Sequence, residues 1–266
     1  MAKIITFLNV KGGVGKTTIC FNLAHALKII DDKKVLLVDM DHQENLSGRA
    51  IKNRQEKNNS TYDLISNENV DAINCIYDSR IPNTKVIPGD IELQRAIKDL
   101  DPSMNPSIMN RMKEKLKPIE DSYDYILIDT HPTLDILSTM SLLASDYYCV
   151  PVKPEPDSLV GISITDSYLK NARKANPGLK DLGILMTDYD KRTNIAHEVL
   201  NTLKQRFGDR IMDSVIGRNV AITNAAMKAQ TIFQYDPRQN GCKYFKELAR
   251  EIINKCENNN GLNQES

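Results

Sequence analysis

Residues 9–18 read Asn-Val-Lys-Gly-Gly-Val-Gly-Lys-Thr-Thr. An apolar run, Ile4-Ile5-Thr6-Phe7-Leu8, leads in, and Ile19-Cys20-Phe21-Asn22-Leu23-Ala24 leads out with helical spacing. Strand, glycine-rich loop and helix in that order form the layout of a phosphate-binding loop. Glycines let the chain approach an anion closely, so the N–H groups of Gly12, Gly13, Gly15 and Lys16 can wrap a phosphate. The helix that follows aims its positive end at the same anion. Gly15-Lys16-Thr17 fit the end of the common Gly-x-x-x-x-Gly-Lys-Ser/Thr pattern, but its first glycine would fall on Val10. A second lysine, Lys11, stands directly before Gly12-Gly13 instead.

Further apolar runs follow at residues 35–38, 85–87, 125–128, 147–152, 182–186 and 211–216, with helical patterns between them. Near-continuous hydrophobic strands alternating with helices predict a doubly wound α/β fold, a mostly parallel sheet covered by helices on both faces. Ligands of such sheets bind at the carboxyl ends of the strands. Lys11, Asp39, Asp41 and Asp129 all fall just after apolar runs, which places them at one shared site. Residues 48–84 are polar, with runs such as Arg54-Gln55-Glu56-Lys57-Asn58-Asn59-Ser60, and read as loops and short helices on the periphery. Three prolines mark residues 101–120, where a helix is expected near Ser107. A single domain over residues 1–257 is expected, followed by an Asn/Gln/Ser-rich disordered tail over 258–266.

The chain has 266 residues, 41% hydrophobic and 26% charged, with 35 Lys/Arg against 35 Asp/Glu. That balance creates no global field towards nucleic acid or membrane. Between residues 191 and 256, however, 12 Lys/Arg stand against 6 Asp/Glu, a local +6 that points to a polyanionic partner. The five cysteines (Cys20, Cys75, Cys149, Cys242, Cys256) show neither zinc spacing nor a disulfide framework, and Cys20 and Cys149 read as small core residues. The N-terminus runs straight into the first strand, so no leader is expected, and no apolar stretch approaches the 18 residues of a membrane span. A reduced, cytoplasmic protein is expected.

The loop Lys-Gly-Gly-x-Gly-Lys-Thr resembles the deviant Walker A loop of the ParA/MinD group of P-loop ATPases, whose extra lysine is the signature lysine. The resemblance implies ATP and Mg²⁺ as ligands, with residues 11–18 (Lys11, Gly12, Gly13, Val14, Gly15, Lys16, Thr17, Thr18) around the phosphates. Lys16 would reach the β- and γ-phosphates, and Thr17 and Asp129 would hold the metal, with Asp39 near its shell. The stretch Asp39-Met40-Asp41-His42-Gln43-Glu44-Asn45 resembles the Asp-x-Asp-Pro-Gln-x-Asn switch, in which the second acid, here Asp41, orients the attacking water. His42 replaces the proline of that motif, and His131 replaces the first proline of Asp-Thr-Pro-Pro after Asp129. Two histidines beside the site are expected to make hydrolysis pH-sensitive. In this group the lysine at Lys11 crosses a dimer interface to the partner's phosphates, so an ATP-bound homodimer is implied.

Later blocks narrow the resemblance to ParA-type partition ATPases, over most of the chain. Val150-Pro151-Val152-Lys153-Pro154-Glu155 resembles Pro-Val-Gln-x-Glu, although Pro156 replaces an aromatic residue and Val160 a glutamate. Thr187-Asp188-Tyr189-Asp190-Lys191-Arg192-Thr193 resembles Thr-Met-Tyr-Asp-x-Arg-Thr, and Val215-Ile216-Gly217-Arg218-Asn219-Val220 resembles Val-Ile-Pro-Arg-Asn-Val. Asn219 is then the adenine contact, with Gly217 in place of proline. Residues 235–241 resemble Tyr-Asp-Pro-Arg-Ser-x-Gly. The resemblance implies non-specific binding of double-stranded DNA and a ParB-like centromere-binding partner that stimulates hydrolysis, with a nucleoid-associated location. Arg192 matches a DNA-binding arginine of the family, and Lys191, Lys228, Arg238, Lys243, Lys246 and Arg250 are further candidates. A second family arginine is replaced by Ala221. A MinD-like membrane ATPase would end in an amphipathic lipid-binding helix, but the apolar face of residues 244–253 is followed by a polar tail and is expected to pack on the domain. Positioning of a non-DNA cargo is the other alternative. An iron–sulfur electron carrier would need bridging cysteines that this chain does not place after the Asp129 strand. Only ten residues precede Lys11, so no operator-binding helix-turn-helix is expected there.

Overall fold

The computed structural model describes residues 1–53, 55, 57–100, 102, 103 and 105–261. Eight strands form one sheet: β1 Lys3–Phe7, β2 Val35–Met40, β3 Tyr77–Asp78, β4 Thr84–Ile87, β5 Tyr125–Thr130, β6 Tyr147–Val152, β7 Lys180–Tyr189 and β8 Ile211–Gly217. Their order across the sheet is β3-β4-β2-β5-β1-β6-β7-β8. All pairings are parallel except β3 with β4. The helices are α1 Lys16–Asp31, α2 Asn45–Ala50, α3 Thr61–Ser66, α4 Leu93–Asp99, α5 Arg111–Leu116, α6 Ile136–Ala144, α7 Ser158–Ala175, α8 Asn194–Phe207, α9 Val220–Met227, α10 Ile232–Tyr235 and α11 Asn240–Gly261.

Side chains alternate across each strand, so the sheet has two apolar faces. Ile5, Phe7, Leu37 and Leu127 pack with Leu23 and Leu27 of α1 and with Phe245, Leu248 and Ile252 of α11. On the other face, Ile4, Leu36, Val38 and Ile126 meet Met112 of α5 and Met140 of α6, while Val150 and Ile184 meet Leu169 of α7 and Leu203 of α8. Burial of each such side chain contributes about 1.5–3 kcal/mol. The apolar face of α11 is therefore consumed by the core, as its sequence pattern suggests. No helix among the described residues is long and apolar enough to cross a membrane.

Several details differ from the sequence reading. Asp39 and Asp129 lie inside β2 and β5 rather than beyond them, and they are register partners. The polar 48–84 stretch contains α3 and a short 3₁₀ turn, as expected, but also the two-residue edge strand β3. Arg54 and Glu56 of that stretch lie outside the described residues. The helix expected near Ser107 starts as a 3₁₀ turn at Pro106–Asn110 and becomes α5 at Arg111. α11 runs through to Gly261, and residues 262–266 of the expected tail lie outside the described residues. The chain turns from one half of the sheet to the other at β1, which sits between β5 and β6, and that reversal opens a crevice at the carboxyl end of β1.

Candidate nucleotide site

The loop between β1 and α1 is held open from three sides. Gly13 and Gly15 adopt φ of 71° and 92°. A Cβ at either would meet nothing within 4 Å, so the requirement for glycine there is conformational rather than spatial. Asn9 anchors the start of the loop: its Nδ2 donates to the Pro151 carbonyl at 2.7 Å, and its Oδ1 accepts from the Lys11 N–H at 2.9 Å. The Thr187 hydroxyl, near the end of β7, lies 2.9 and 3.0 Å from the Val14 and Val152 carbonyls and shares its one proton between them. Lys16, the first residue of α1, is buried and donates to the Asn9 carbonyl at 3.1 Å. Burial lowers its pKa, against the pull of Asp129 and Asp41.

Three carboxylates face this loop from β2 and β5. Both oxygens of Asp129 are buried and accept no hydrogen bond. Burial first, then the Asp39 charge, pushes its pKa up to about 8; the Lys16 ammonium and the Thr17 hydroxyl, close by but short of bonding geometry, oppose the shift. Asp39, expected near the metal shell, has both oxygens engaged within the protein. Oδ2 accepts from the Ser47 N–H and hydroxyl at 2.8 and 2.6 Å, and Oδ1 accepts from the Asp41 N–H at 3.1 Å. Asp39 thus fixes the start of α2 and the backbone that presents Asp41. Asp41 is 6% exposed and accepts from the Gln43 N–H at 2.9 Å. Gly89 closes this corner from beneath: a Cβ there would lie 2.8 Å from the Asp41 carbonyl.

Two cavities flank the loop. One, about 350 Å³, is lined by residues 12–18 together with Asp41, Gln43, Asn45 and Arg49. The other, about 220 Å³, is lined by Gly13, Gly15, Lys153, Asp188, Gly217 and Asn219 among others. The first fits phosphates and the second a nucleoside. Among the described residues no three His, Cys, Asp or Glu side chains form a metal cage. Mg²⁺ needs none, since it binds through one or two carboxylates, waters and substrate phosphates. The unpartnered Asp129 carboxylate beside Thr17 suits that mode. Lys11 stands at the lip of the site, where its Nζ pairs with Glu155 and Asp157 of the same chain.

A family model described as "AAA domain" matches residues 2–181, and one described as "4Fe-4S iron sulfur cluster binding proteins, NifH/frxC family" matches residues 144–261. Sporulation initiation inhibitor protein Soj of Bacillus subtilis is 36% identical over 95% of this chain and 98% of its own. Chromosome partitioning protein ParA of Caulobacter vibrioides is 31% identical over 95% and 94%. A putative plasmid partition protein of Borrelia burgdorferi, solved bound to AMPPNP, superposes with a TM-score of 0.80 at 25% identity, over 96% of this chain and 100% of that one. The chain belongs to the ParA/Soj family of partition ATPases. Cys149, Cys242 and Cys256, within the span of the second model, are each buried and free.

Two of the departures from the ParA/Soj pattern meet. His42 and His131 are in edge contact, ring centroids 6.0 Å apart. The Nε2 of His131 bonds Asp135 at 2.6 Å; the Nδ1 of each histidine is buried without a hydrogen bond, that of His42 lying 3.8 Å from Oδ1 of Asp41. Gly217 leaves room for Tyr244, whose hydroxyl would lie 2.6 Å from a Cβ at 217. Asn219 caps α9, its Oδ1 accepting from the Ala221 N–H at 2.8 Å. Ala221 packs against the core.

The DNA candidates fall into two groups. Lys191 and Arg192 follow β7, while Lys228, Arg238, Lys243, Lys246 and Arg250 lie between the end of α9 and α11. Arg192 is forked onto Asp190 at 2.9 and 2.8 Å, and Arg238 pairs with Asp236 at 3.4 Å. Lys243 lies 3.7 Å from Glu247, and Lys228 lies over the Tyr235 ring. The charges of Arg192, Arg238 and Lys243 are thus locally compensated.

Arg49, Lys153 and Asp188 escaped the sequence reading. Arg49 donates to the Thr18 hydroxyl at 3.3 Å, and its signal was its place four residues after Asn45 on the same helical face. Lys153 and Asp188 stood inside matched blocks, at positions where the family pattern has other residues.

Proposed function

We propose that this protein binds ATP with Mg²⁺ across the two cavities, hydrolyses it to ADP and phosphate, and couples the nucleotide to dimerisation and non-specific DNA binding. The observation that carries this is the convergence of Lys16, Thr17, Asp41 and the unpartnered Asp129 at the carboxyl ends of β1, β2 and β5. Bound Mg²⁺, held by Thr17 and Asp129 with Asp39 behind them, would screen charge on the β- and γ-phosphates. Lys16 leaves the Asn9 carbonyl for the phosphates. Asp41 accepts a hydrogen bond from the attacking water and sets its line onto the γ-phosphorus. Loop N–H groups receive the charge that develops on the phosphate oxygens. Lys11 acts across a homodimer, where a second chain's phosphates compete with Glu155 and Asp157 for its ammonium.

A ParB-like partner bound at a centromere-like site would stimulate hydrolysis and release the protein from the nucleoid, making it a cytoplasmic, nucleoid-associated partition ATPase. Burial of the apolar face of α11 speaks against a MinD-like lipid anchor in that helix. The test is duplex DNA binding on a biosensor with ATP, ADP or no nucleotide across a salt series. ATP-dependent binding that weakens steeply with salt supports the reading. Binding to anionic liposomes without DNA binding overturns it, and salt-independent or nucleotide-independent DNA binding does so as well.

A further inference from the structure

Arg49 brings a positive charge to the phosphate cavity from outside the glycine loop. It sits half-buried in the last turn of α2 and lines that cavity with residues 12–18. Its Nη1 donates to the Thr18 hydroxyl at 3.3 Å, and among the described residues it enters no ion pair. The other cations around the two cavities are engaged: Lys11 by Glu155 and Asp157, Lys153 by Asp188, and Lys16 by the Asn9 carbonyl. Burial works against the Arg49 charge, while Asp129 and Asp39 favour it only through space. A guanidinium stays protonated at any working pH. A half-desolvated cation without a counter-charge favours an anion beside it.

The helix that carries Arg49 is fixed in place. Leu46 and Ala50 pack into the core. Ser47 gives its N–H and hydroxyl to Asp39 Oδ2 at 2.8 and 2.6 Å and accepts from the Gly89 N–H at 2.8 Å. α2 is thus anchored independently of any ligand, and a charge placed in advance loses little freedom on binding. Thr18 locates that charge along a phosphate chain. It lines both cavities and so marks their junction, whereas Asp41 lines the phosphate cavity alone. A nucleotide laid across the two would put its ribose-side phosphates at the junction and its γ-phosphate towards Asp41. A guanidinium has about five N–H donors in a planar fork; Thr18 takes one and the others remain for phosphate oxygens.

We propose that Arg49 is a further nucleotide-binding residue, which grips the phosphates that ATP and ADP share. The inference rests on the nucleotide-site reading above. Arg49 acts within its own chain, unlike Lys11. The phosphates it holds survive hydrolysis, so it binds substrate and product alike. It lowers KM without raising kcat, and it delays the release of ADP.

The test is calorimetric titration of the whole protein, with Mg²⁺, by ADP and by the non-hydrolysable analogue AMPPNP, alongside steady-state phosphate release, for wild type, Arg49→Ala and Arg49→Lys. Arg49→Ala is expected to weaken ADP and AMPPNP by the same factor, about tenfold or more, the scale of a hydrogen bond to a charged group. The loss should shrink as salt rises, because a screened charge contact is what has gone. KM should rise with kcat unchanged or higher. Arg49→Lys keeps the charge without the fork and should recover part of the affinity. Loss of AMPPNP binding with ADP binding intact, or a fall in kcat at unchanged KM, would place Arg49 at the γ-phosphate and overturns the proposal. Equal, salt-independent losses in both variants, with a lower thermal midpoint of the nucleotide-free protein, mark a purely structural link to Thr18 and overturn it as well. Variants that bind both nucleotides as tightly as wild type remove the Arg49 assignment alone, whereas binding of neither nucleotide by wild type removes the site reading with it.

Discussion

Asp39 and Asp129 face each other as register partners on adjacent parallel strands, both fully buried. Asp39 is surrounded by donors from Ser47 and Asp41, and Asp129 has none. Burial raises the pKa of Asp39 to about 6 and, with the Asp39 charge, that of Asp129 to about 8. Folded values above the unfolded 3.8 mean that the folded state holds these protons more tightly. The stability they confer is complete below pH 4 and is lost as pH rises towards 8. Asp129→Asn should therefore stabilise the nucleotide-free protein at pH 8 by about 1–3 kcal/mol and flatten this part of the pH dependence. The same variant should lose Mg²⁺-dependent hydrolysis. Urea denaturation at pH 6 and pH 8 checks the first outcome and phosphate release the second.

Lys11 is engaged within its own chain by Glu155 and Asp157, whose hydrogen bonds raise its pKa. Lys11→Ala should abolish hydrolysis and ATP-dependent dimerisation, and normal dimer formation in light scattering would refute that role. Glu155→Gln with Asp157→Asn should act in the opposite direction. With the intrachain partners neutralised, the ATP concentration for half-maximal dimerisation should fall about threefold to tenfold.

Gly217 gives up a side chain to Tyr244. Gly217→Ala would drive a methyl group into the ring, with contacts of 2.6 and 2.7 Å to the hydroxyl and the carbon bearing it. Overpacking of this kind costs about 1–3 kcal/mol. A fall in thermal midpoint is expected, accompanied by weaker nucleotide binding because 217 lines the nucleoside cavity. Tyr244→Ala in the same chain should recover part of both, as measured by calorimetry and nucleotide titration.

His25 bonds Thr231 at 2.6 Å and stacks near Phe233, and burial lowers its pKa to about 4. A folded value below the unfolded 6.5 means that the unfolded chain takes up the proton first. This contribution is full above pH 6.5 and is lost as pH falls towards 4, up to about 2–3 kcal/mol. Replacement by Gln should remove that acid-side slope in urea titrations at pH 7 and pH 5.

The contact between His42 and His131 joins two departures that lie 89 positions apart in the chain. Both flank the proposed chemistry. His42→Pro with His131→Pro puts the family's residues back at both places and should change the rate of ATP hydrolysis, and an unchanged rate would remove the histidine contact from any part in it.

The central parallel strands were legible because they are buried on both faces and so read as unbroken apolar runs, as residues 35–38 and 125–128 do. β3 was not, since two residues, Tyr77 and Asp78, cannot carry a period. Lys16, Asp41 and Asp129 could be placed together because loop and strand-end positions converge in any sheet of this topology. The partners of Lys11 could not, because Glu155 and Asp157 lie about 145 residues away and meet it only through the loop that follows β6. Compensation of Arg192 by Asp190 was hidden for a different reason: net charge sums residues, whereas the fork depends on a local turn after β7.

The place of β1 in the sheet has a consequence for biosynthesis. The strand that sets the nucleotide loop leaves the ribosome before the other seven strands, yet both its neighbours lie far downstream, at residues 125–129 and 147–149. Until those emerge, the glycine loop has no strands at its side and the Pro151 and Thr187 anchors do not exist. An elongating chain therefore carries its most defining segment through the synthesis of residues 8–146 without the means to fold it. Nascent protein stalled before residue 150 should be blind to nucleotide, and competence should arrive late and at once.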